Sequence, residues 1–307
     1  MRFSKIIGIG GYLPPKVIEN TEFETDSKLE KGWIFRRTGI KRRHIAEESA
    51  VDMGIKALRE AANDAKISLD EIEYIFVVTN SADTLIPGMA GRIQSVFNKP
   101  IGGVDVQAGC SGFIQTMEIA DSMIKAGTFS KIAVIGTEKL STIVDWNDPY
   151  VSSLFGDGAA AVIMGKSDEA GIISSYSRIQ EEGWETLIQK RNGYLQMDGK
   201  AVFRFAVSAI EEGINEVLKR AKMDLSQVDL IIPHQSNARI ISRVSKETGI
   251  PKDKFQISIA EHANTAAASV ALALKDAIKS NKIGPSSVVL TVAYGAGLAL
   301  ASNVFKL

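Results

Sequence analysis

The sequence has little cysteine and no excess charge, and each shortage excludes a class of protein. A single cysteine, Cys110, cannot form an intramolecular disulfide, which is typical of a reducing compartment. Lys plus Arg number 36, as do Asp plus Glu, so no general positive charge favours nucleic-acid binding. No apolar run reaches the roughly 18 residues that span a bilayer, and the N-terminus lacks the apolar core of a signal peptide. A soluble, cytoplasmic protein is expected.

An internal repeat runs through the 307 residues. Residues 65–75 resemble residues 221–231, at a separation of 156, and residues 131–135 resemble 287–291 at the same separation. Two matched pairs at one spacing indicate an ancestral duplication. A chance match between apolar patterns is the alternative.

Each half repeats one order of elements: amphipathic helix, apolar strand, long helix, apolar strand. Residues 74–78 and 230–232 are short apolar runs rich in β formers, as in strands covered on both faces. Alternating helices and buried strands predict an α/β protein. We expect two related halves, 1–165 and 166–307, that share a central helical layer.

Cys110 lies where an apolar strand ends and a helix begins. Gly109 and Gly112 allow a sharp turn and leave space beside the sulfur. The arrangement is similar to a nucleophile elbow with cysteine in place of serine. The helix dipole is expected to lower the thiol pKa from about 8.5. A small buried hydrophobe is the alternative for a lone cysteine, but the glycine-flanked turn favours a nucleophile.

Only three histidines are present, and one has a catalytic context. His234 follows an apolar strand at the end where α/β active sites gather. His44 lies in a basic stretch and is interpreted as a surface or structural residue, while His262 has the weaker catalytic case. The repeat places Asn264 near the position equivalent to Cys110, so a pseudo-twofold would bring the two helix starts together. Cys110, His234 and Asn264 form a plausible triad.

Glycine turns complete the predicted site. Residues 293–298 interrupt two apolar strands, and their backbone N–H groups could join that of Cys110 in binding an oxyanion; an ordinary hairpin is the alternative. Glu118 and Asp121, in the helix after Cys110, are expected to be solvated. The sequence contains no Walker loop, CxxC or HExxH pattern, so no metal is expected.

Seven ordered sequence blocks identify a family. The chain resembles the β-ketoacyl-acyl carrier protein synthase III family, the initiating condensing enzymes of the thiolase superfamily, over nearly its whole length. No single block would be a specific signal, but seven blocks in the family's order and at its spacing are a highly specific one. The blocks are residues 10–14, 33–40, 108–113, 155–159, 233–241, 262–265 and 294–297.

The resemblance implies a five-layer α-β-α-β-α fold, a homodimer and the triad Cys110, His234 and Asn264. It implies a decarboxylative Claisen condensation that initiates fatty acid synthesis. An acyl-CoA primer would acylate Cys110, and malonyl-acyl carrier protein would then condense with it to give a 3-oxoacyl-acyl carrier protein. The oxyanion hole would be the backbone of Cys110 and Ala296. CoA and phosphopantetheine thioesters serve as substrates, and no cofactor is expected.

The resemblance also implies further binding residues. Ile86 would reach across the dimer interface to close the partner's acyl pocket. Arg239 and Arg243, four residues apart on one helix face, would dock the carrier protein, although two solvated arginines are the alternative. The residues implied in substrate binding are Trp33, Arg37, Ile86, Phe155, Met197, Gly199, Phe203 and Arg239.

Three positions depart from the family pattern. Ala263 replaces the usual glycine of the H-x-N block, and Ala296 is the middle residue of what is commonly a triple glycine. Pro149 stands where many relatives carry an arginine that stacks on adenine, although Trp33 is present. The departure leaves open whether CoA or the carrier protein carries the primer.

Three other functions are alternatives to this one. Cys, His, Asn is also the papain order, but the papain signature and a papain-like architecture are missing. An inactive dimeric relative that only binds a partner is disfavoured by the intact triad. The nearer alternative is the same fold acting as a specialised-metabolism acyltransferase or as a condensing enzyme with an unusual primer.

Overall fold

The computed structural model describes residues 2–307. The strands are β1 (Phe3–Tyr12), β2 (Val17–Glu19), β3 (Arg42–His44), β4 (Tyr74–Val78), β5 (Gly102–Val106), β6 (Lys131–Glu138), β7 (Gly158–Ser167), β8 (Ile172–Ile179), β9 (Leu187–Gln189), β10 (Leu195–Met197), β11 (Leu230–Pro233), β12 (Val288–Gly295) and β13 (Ala299–Lys306). The α-helices are α1 (Asn20–Asp26), α2 (Trp33–Thr38), α3 (Ala50–Ala65), α4 (Met89–Ile93), α5 (Gly112–Ala126), α6 (Pro149–Ser152), α7 (Gly199–Ala221), α8 (Ala238–Thr248), α9 (Ile259–His262) and α10 (Ser269–Lys279). No helix within residues 2–307 is long and apolar enough to cross a membrane.

Two mixed sheets form the framework. The first has the order β1-β7-β6-β4-β5, with β4 parallel to β5 and β6, and with β7 antiparallel to β6 and β1. The second has the order β11-β12-β13-β8, with one parallel pair followed by two antiparallel pairs. In both sheets the parallel strands end beside the segments that carry the candidate site residues.

The helices and sheets stack in five layers. Helix α3 packs on the first sheet, helices α7 and α8 pack on the second, and α5 and α10 lie between the two sheets. The six residues 269–274 of α10 are all buried. A helix that is buried on every side must be surrounded by other elements, and here both sheets cover it. The predicted α-β-α-β-α fold is confirmed.

The sequence repeat is also visible in the backbone. The residues that follow α3 and α7, Lys66 and Lys222, both take left-handed conformations with φ of 55°. Short 3₁₀ turns at Leu69–Glu71 and Leu225–Gln227 then lead into β4 and β11. The matching residues are again 156 apart, so a duplicated unit explains the repeat better than a chance match. The boundary between residues 165 and 166 stays a prediction.

One surface prediction is wrong. Asp121 is buried, and its carboxylate accepts hydrogen bonds from Ser4 Oγ at 2.6 Å and from Lys125 Nζ at 2.7 Å. The reason is that β1, which carries Ser4, packs against this face of α5.

Candidate active site

One cavity of about 500 Å³ brings the three predicted catalytic residues together. Cys110 comes from the 3₁₀ turn between β5 and α5, His234 follows β11, and Asn264 lies between α9 and α10. Cys110 therefore belongs to the first half, while His234 and Asn264 belong to the second.

Cys110 lines this cavity and is partly exposed. Gly109 before it has φ of 60°, and a Cβ there would lie 3.0 Å from the Ala296 nitrogen, so glycine is needed for the backbone to pass. Burial, followed by the negative charge of Glu138, raises the pKa of the Cys110 thiol to about 12. The prediction of a lowered thiol pKa is wrong for the protein without substrate, because burial outweighs the dipole of a helix that begins at Gly112.

Glu138, at the end of β6, is a buried carboxyl group that sequence reasoning missed. It accepts hydrogen bonds from Asn80 Nδ2 at 2.7 Å, Ser81 Oγ at 2.5 Å and the Ala267 amide at 3.4 Å. Asn80 Oδ1 in turn accepts from the Gly109 amide at 3.1 Å. Glu138 thus connects the turn that carries Cys110 with the turn that follows Asn264.

His234 is fixed and uncharged. It is 2% exposed, and its backbone N–H donates to the carbonyl of Val292 at 2.8 Å. Its Nδ1 lies 2.6 Å from Ser269 Oγ, and its ring meets the Tyr294 ring edge-on at 5.3 Å. Burial lowers the pKa of His234 to about 3, so the imidazole is neutral at physiological pH.

The orientation of the Asn264 side chain follows from its hydrogen bonds. The Asn264 backbone bonds to Leu154 and Gly156, in a bridge beside Phe155. Its Oδ1 accepts the Ala266 amide at 2.9 Å. Because an N–H group donates, this contact assigns the oxygen to Oδ1 and leaves Nδ2 to donate. Among residues 2–307, Nδ2 has no hydrogen-bond partner, and Asn264 lines the cavity.

Two alanines beside Asn264 take conformations that favour glycine. Ala263 has φ of 56° and ψ of −161°, and Ala266 has φ of 41°. Such conformations are strained for residues with a Cβ, by about 1–3 kcal/mol each, and cluster at functional sites. The departure from the family's glycine at position 263 therefore places a strained residue directly before Asn264.

The glycine turn near the C-terminus is both a hairpin and a wall of the site. Strands β12 and β13 pair antiparallel on either side of it. A Cβ at Gly295 would lie 2.6 Å from the Cys110 nitrogen, so the two backbones are in contact. Ala296 also lines the cavity, and its nitrogen lies close to Gly109, the residue before Cys110.

The remaining predicted residues divide into two groups. Phe155, Met197, Gly199 and Phe203 line the cavity with the triad. The residues outside its lining are Trp33, Arg37, Ile86, Arg239 and Arg243.

The second group lies on the surface. Trp33 packs edge-on against Tyr150 at 5.3 Å, and Ile86 is 91% exposed. Arg239 and Arg243 line a separate groove between α7 and α8, which shares Phe203 with the cavity.

Several cavity residues were not anticipated. Ser236 and Tyr294 lie within the recognised blocks, and their hydroxyl groups are hydrogen-bonded to each other. The others lie outside the recognised blocks, and many come from the β9–β10 hairpin and its flanks. The unanticipated lining residues include Asn80, Gln115, Ile179, Leu187, Ile188, Gln189, Leu195, Ser236 and Tyr294.

Among residues 2–307, no three His, Cys, Asp or Glu side chains converge as metal ligands.

Comparisons with known proteins agree with one another. The family model described as 3-oxoacyl-[acyl-carrier-protein (ACP)] synthase III matches residues 104–181, and its C-terminal counterpart matches residues 218–307. The β-ketoacyl-[acyl-carrier-protein] synthase III of Aquifex aeolicus is 40% identical over 99% of both chains, and that of Thiobacillus denitrificans is 36% identical over 100% of both. A crystal structure of the 3-oxoacyl-[acyl-carrier-protein] synthase III from Aquifex aeolicus superposes with a TM-score of 0.96 at 38% identity, over 99% of this chain and 100% of that one. The priming β-ketosynthase of the R1128 polyketide biosynthetic pathway superposes with a TM-score of 0.95 at 32% identity, over 100% of this chain and 96% of that one.

Proposed function

The chain belongs to the 3-oxoacyl-[acyl-carrier-protein] synthase III family, and on this basis we propose that Cys110, His234 and Asn264 are its catalytic residues. As a member of the family it is an acyltransferase that carries out the initiating condensation of fatty acid synthesis. The observation that carries the residue assignment is the meeting of these three side chains in one cavity against the β12–β13 turn.

The first half-reaction acylates Cys110. Its sulfur attacks the thioester carbonyl of an acyl-CoA, the new S–C bond forms, and the bond to the CoA sulfur breaks. The thiol proton ends on the released CoA. The amides of Cys110 and Ala296 stabilise the tetrahedral oxyanion. The close approach of Gly295 to the Cys110 nitrogen, and of Gly109 to the Ala296 nitrogen, supports this role.

The second half-reaction condenses the acyl group with malonyl-acyl carrier protein. His234 and Asn264 donate hydrogen bonds to the malonyl thioester carbonyl while the bond to the departing CO₂ breaks. The electron pair forms an enolate, whose carbon attacks the acyl carbonyl on Cys110 and releases the thiolate. The free Nδ2 of Asn264 and the neutral imidazole of His234 support these donor roles.

Separating the two half-reactions tests the assignment. Intact-protein mass spectrometry should detect one acyl group on the wild type and none on Cys110→Ala. The variants His234→Ala and Asn264→Ala should still acylate Cys110 yet lose condensation by about a hundredfold or more, as when an oxyanion donor is removed. Acylation of Cys110→Ala, or equal loss of both half-reactions in the other two variants, contradicts the assignment.

For the CoA moiety, Tyr150 offers a surface beside Trp33. Pro149 opens α6 and is followed by Tyr150, which is 60% exposed and contacts Trp33. The two rings and the exposed Arg37 could hold an adenine and a phosphate group. Tyr150→Ala should then raise the KM for acyl-CoA more than the KM for the same acyl group on a carrier protein.

For the carrier protein, the groove between α7 and α8 supplies local positive charge. Arg204, Arg239 and Arg243 line it beside Glu211 and Glu247. Acyl carrier proteins are acidic, so complementary charge at this groove would speed their association. The groove meets the cavity at Phe203, the position needed for a phosphopantetheine arm to pass inward.

The edge strand β5 supports a homodimer. Val104 on it is 44% exposed and Ile119 on neighbouring α5 is 45% exposed, although both are apolar. Natural proteins rarely leave an apolar sheet edge uncovered. Leu85 and Ile86, 75% and 91% exposed, extend from the loop after β4. We assign this face to a second copy of the chain, with Ile86 closing the partner's acyl pocket.

The choice of primer separates fatty acid synthesis from specialised metabolism. Specialised metabolism is the second candidate, and the likeness to a priming ketosynthase of a polyketide pathway is the observation that supports it. A panel of acyl-CoA primers with malonyl-acyl carrier protein, read by product mass, distinguishes the two: a preference for short acyl groups supports fatty acid initiation, and rejection of them supports the alternative. We place the enzyme in the cytoplasm, because its nucleophile must stay reduced.

A further inference from the structure

Ser269, the first residue of α10, lies directly behind the proposed donor His234. Ser269 is 2% exposed, and its Oγ is 2.6 Å from His234 Nδ1. The backbone N–H of Gln235 donates to the same oxygen, at a longer 3.5 Å. None of the family blocks that define the site includes Ser269.

The positions of the hydrogen atoms in this contact follow from the requirement that every buried donor has an acceptor. Among residues 2–307, Ser269 Oγ has these two hydrogen-bond partners alone. The Gln235 N–H can only donate, so the hydroxyl hydrogen of Ser269 is left with His234 Nδ1 as its acceptor. If Nδ1 carried a hydrogen, that buried hydroxyl would have no acceptor, at a cost comparable to a lost hydrogen bond.

We propose that Ser269 is a positioning residue that donates to Nδ1 of His234 and thereby holds its hydrogen on Nε2. This inference rests on the proposed function, in which His234 donates a hydrogen bond to the malonyl thioester carbonyl. The opposite tautomer presents a lone pair to that oxygen and repels it. Ser269 touches no reacting atom and acts only through the tautomer of His234.

The tautomer can be measured without substrate. ¹⁵N NMR of protein labelled at its three histidines should show His234 with an unprotonated Nδ1 and a protonated Nε2, assigned by loss of the signals in His234→Gln. His44 is an internal reference, because its Nδ1 faces the carbonyl of Pro14 at 2.6 Å and must carry the hydrogen. A protonated Nδ1 in His234 overturns the proposal, whatever the activity of the protein.

Kinetics test whether the contact matters for the reaction. Ser269→Ala should lower the kcat of condensation by about three- to tenfold, the range for one lost neutral hydrogen bond, with Cys110 acylation and the KM for malonyl-acyl carrier protein unchanged. Ser269→Thr keeps the hydroxyl and should restore the rate. Ser280→Ala, just after the same helix, removes a hydroxyl that bonds only to backbone carbonyls and is the matched control.

Each result has one interpretation. Equal loss of acylation and condensation in Ser269→Ala, or no loss of either, overturns the positioning role. If the proposed function is wrong, the wild type shows no condensation activity, but the tautomer of His234 measured by NMR does not change. The two failures can therefore be distinguished.

Discussion

At the scale of single residues, the reactivity of Cys110 depends on a buried neighbouring carboxylate. Burial raises the pKa of the Glu138 carboxyl, while hydrogen bonds donated by Ser81, Asn80 and Ala267 oppose that rise. In its ionised form, the charge of Glu138 opposes formation of the thiolate. Glu138→Gln keeps the shape and removes the charge, so the pKa of the Cys110 thiol should fall and alkylation by iodoacetamide at pH 8 should become several-fold faster. In the wild type the alkylation rate should keep rising with pH beyond pH 9.

A second buried carboxyl group provides the control. Asp121 lies roughly three helical turns beyond Cys110, and Asp121→Asn should leave the alkylation profile unchanged. An unchanged or raised thiol pKa in Glu138→Gln would show that its charge does not act on the sulfur.

The strained alanine before Asn264 makes a prediction about stability. Ala263→Gly loses a buried methyl group and gains chain entropy in the unfolded state, but it also relieves a left-handed φ of 56°. Ala271→Gly, at a buried position within α10, also loses a buried methyl group and gains chain entropy in the unfolded state, but it relieves no strained φ. The free energy of unfolding of Ala263→Gly should therefore exceed that of Ala271→Gly by about 1–3 kcal/mol, measured by urea denaturation. Equal values for the two variants would mean that no strain is stored at Ala263.

The residues that could be predicted from the sequence are those with a local signal. Cys110 has flanking glycines, His234 follows a strand, and Asn264 corresponds to Cys110 through the repeat. Glu138 and Ser269 have no such signal, because their partners lie 58 and 35 residues away in sequence. The folded positions of these segments decide those contacts, and one sequence alone does not reveal them.

At the scale of elements, helix α8 carries a positive charge, on Arg243, that a glutamate on the same helix neutralises. Arg243 contacts Glu247 one turn later, with its Nε at 2.6 Å. Glu247→Gln should release Arg243 and lower the KM for malonyl-acyl carrier protein at low salt, whereas Arg243→Glu should raise it. Added salt should reduce both effects, since exposed charges are screened over about 8 Å at physiological ionic strength.

An equivalent change elsewhere tests whether the location matters. Glu216→Gln on α7 also removes an exposed ion pair, with Lys219, but lies outside the groove. It should leave carrier-protein kinetics unchanged. If Glu216→Gln and Glu247→Gln lower the KM equally, net charge rather than the groove controls docking.

Periodicity predicted that helices and strands alternate along the chain, but not which of the strands are covered. The strand predicted before Cys110 is β5, whose sequence Gly-Gly-Val-Asp-Val is only partly apolar. It is the edge of the first sheet, and Val104 is exposed. In the second sheet an isolated bridge between Ile231 and Phe255 stands where the repeat would place a fifth strand. An apolar run indicates that a strand will be covered, but not whether its own chain or another chain covers it.

At the scale of the whole molecule, the cavity depends on the joining of two related halves. The first half contributes Cys110, the proposed nucleophile, and the second contributes both proposed donors, while Glu138 accepts a hydrogen bond from the Ala267 amide in the second half. A variant that loosens this contact should therefore affect both half-reactions, unlike Ser269→Ala.

The exposed edge of the first sheet leads to a prediction about assembly. If β5 pairs with a second copy, Val104→Lys places a charge on an apolar edge and should convert a dimer into a monomer in sedimentation equilibrium. Ile173→Lys is the matched control, because Ile173 is also a partly exposed apolar residue, 38% exposed, on β8 at the edge of the other sheet. It should leave the dimer intact. A wild type that sediments as a monomer, or a Val104→Lys variant that remains dimeric, places no interface at this edge.

The proposed dimer also leads to a prediction about how one copy shapes the substrate range of the other. Ile86 is 91% exposed and does not line the cavity of its own chain, so any role in acyl selection requires the partner. Ile86→Ala should keep the dimer and shift the preference of Cys110 acylation towards longer acyl-CoA chains, because a smaller side chain leaves the partner's pocket deeper. The Val104→Lys monomer should lose the wild-type preference as well, and a second substitution at Ile86 in that monomer should then have no further effect. An Ile86→Ala effect of equal size in dimer and monomer would mean that Ile86 acts within its own chain, contrary to the proposed exchange between subunits.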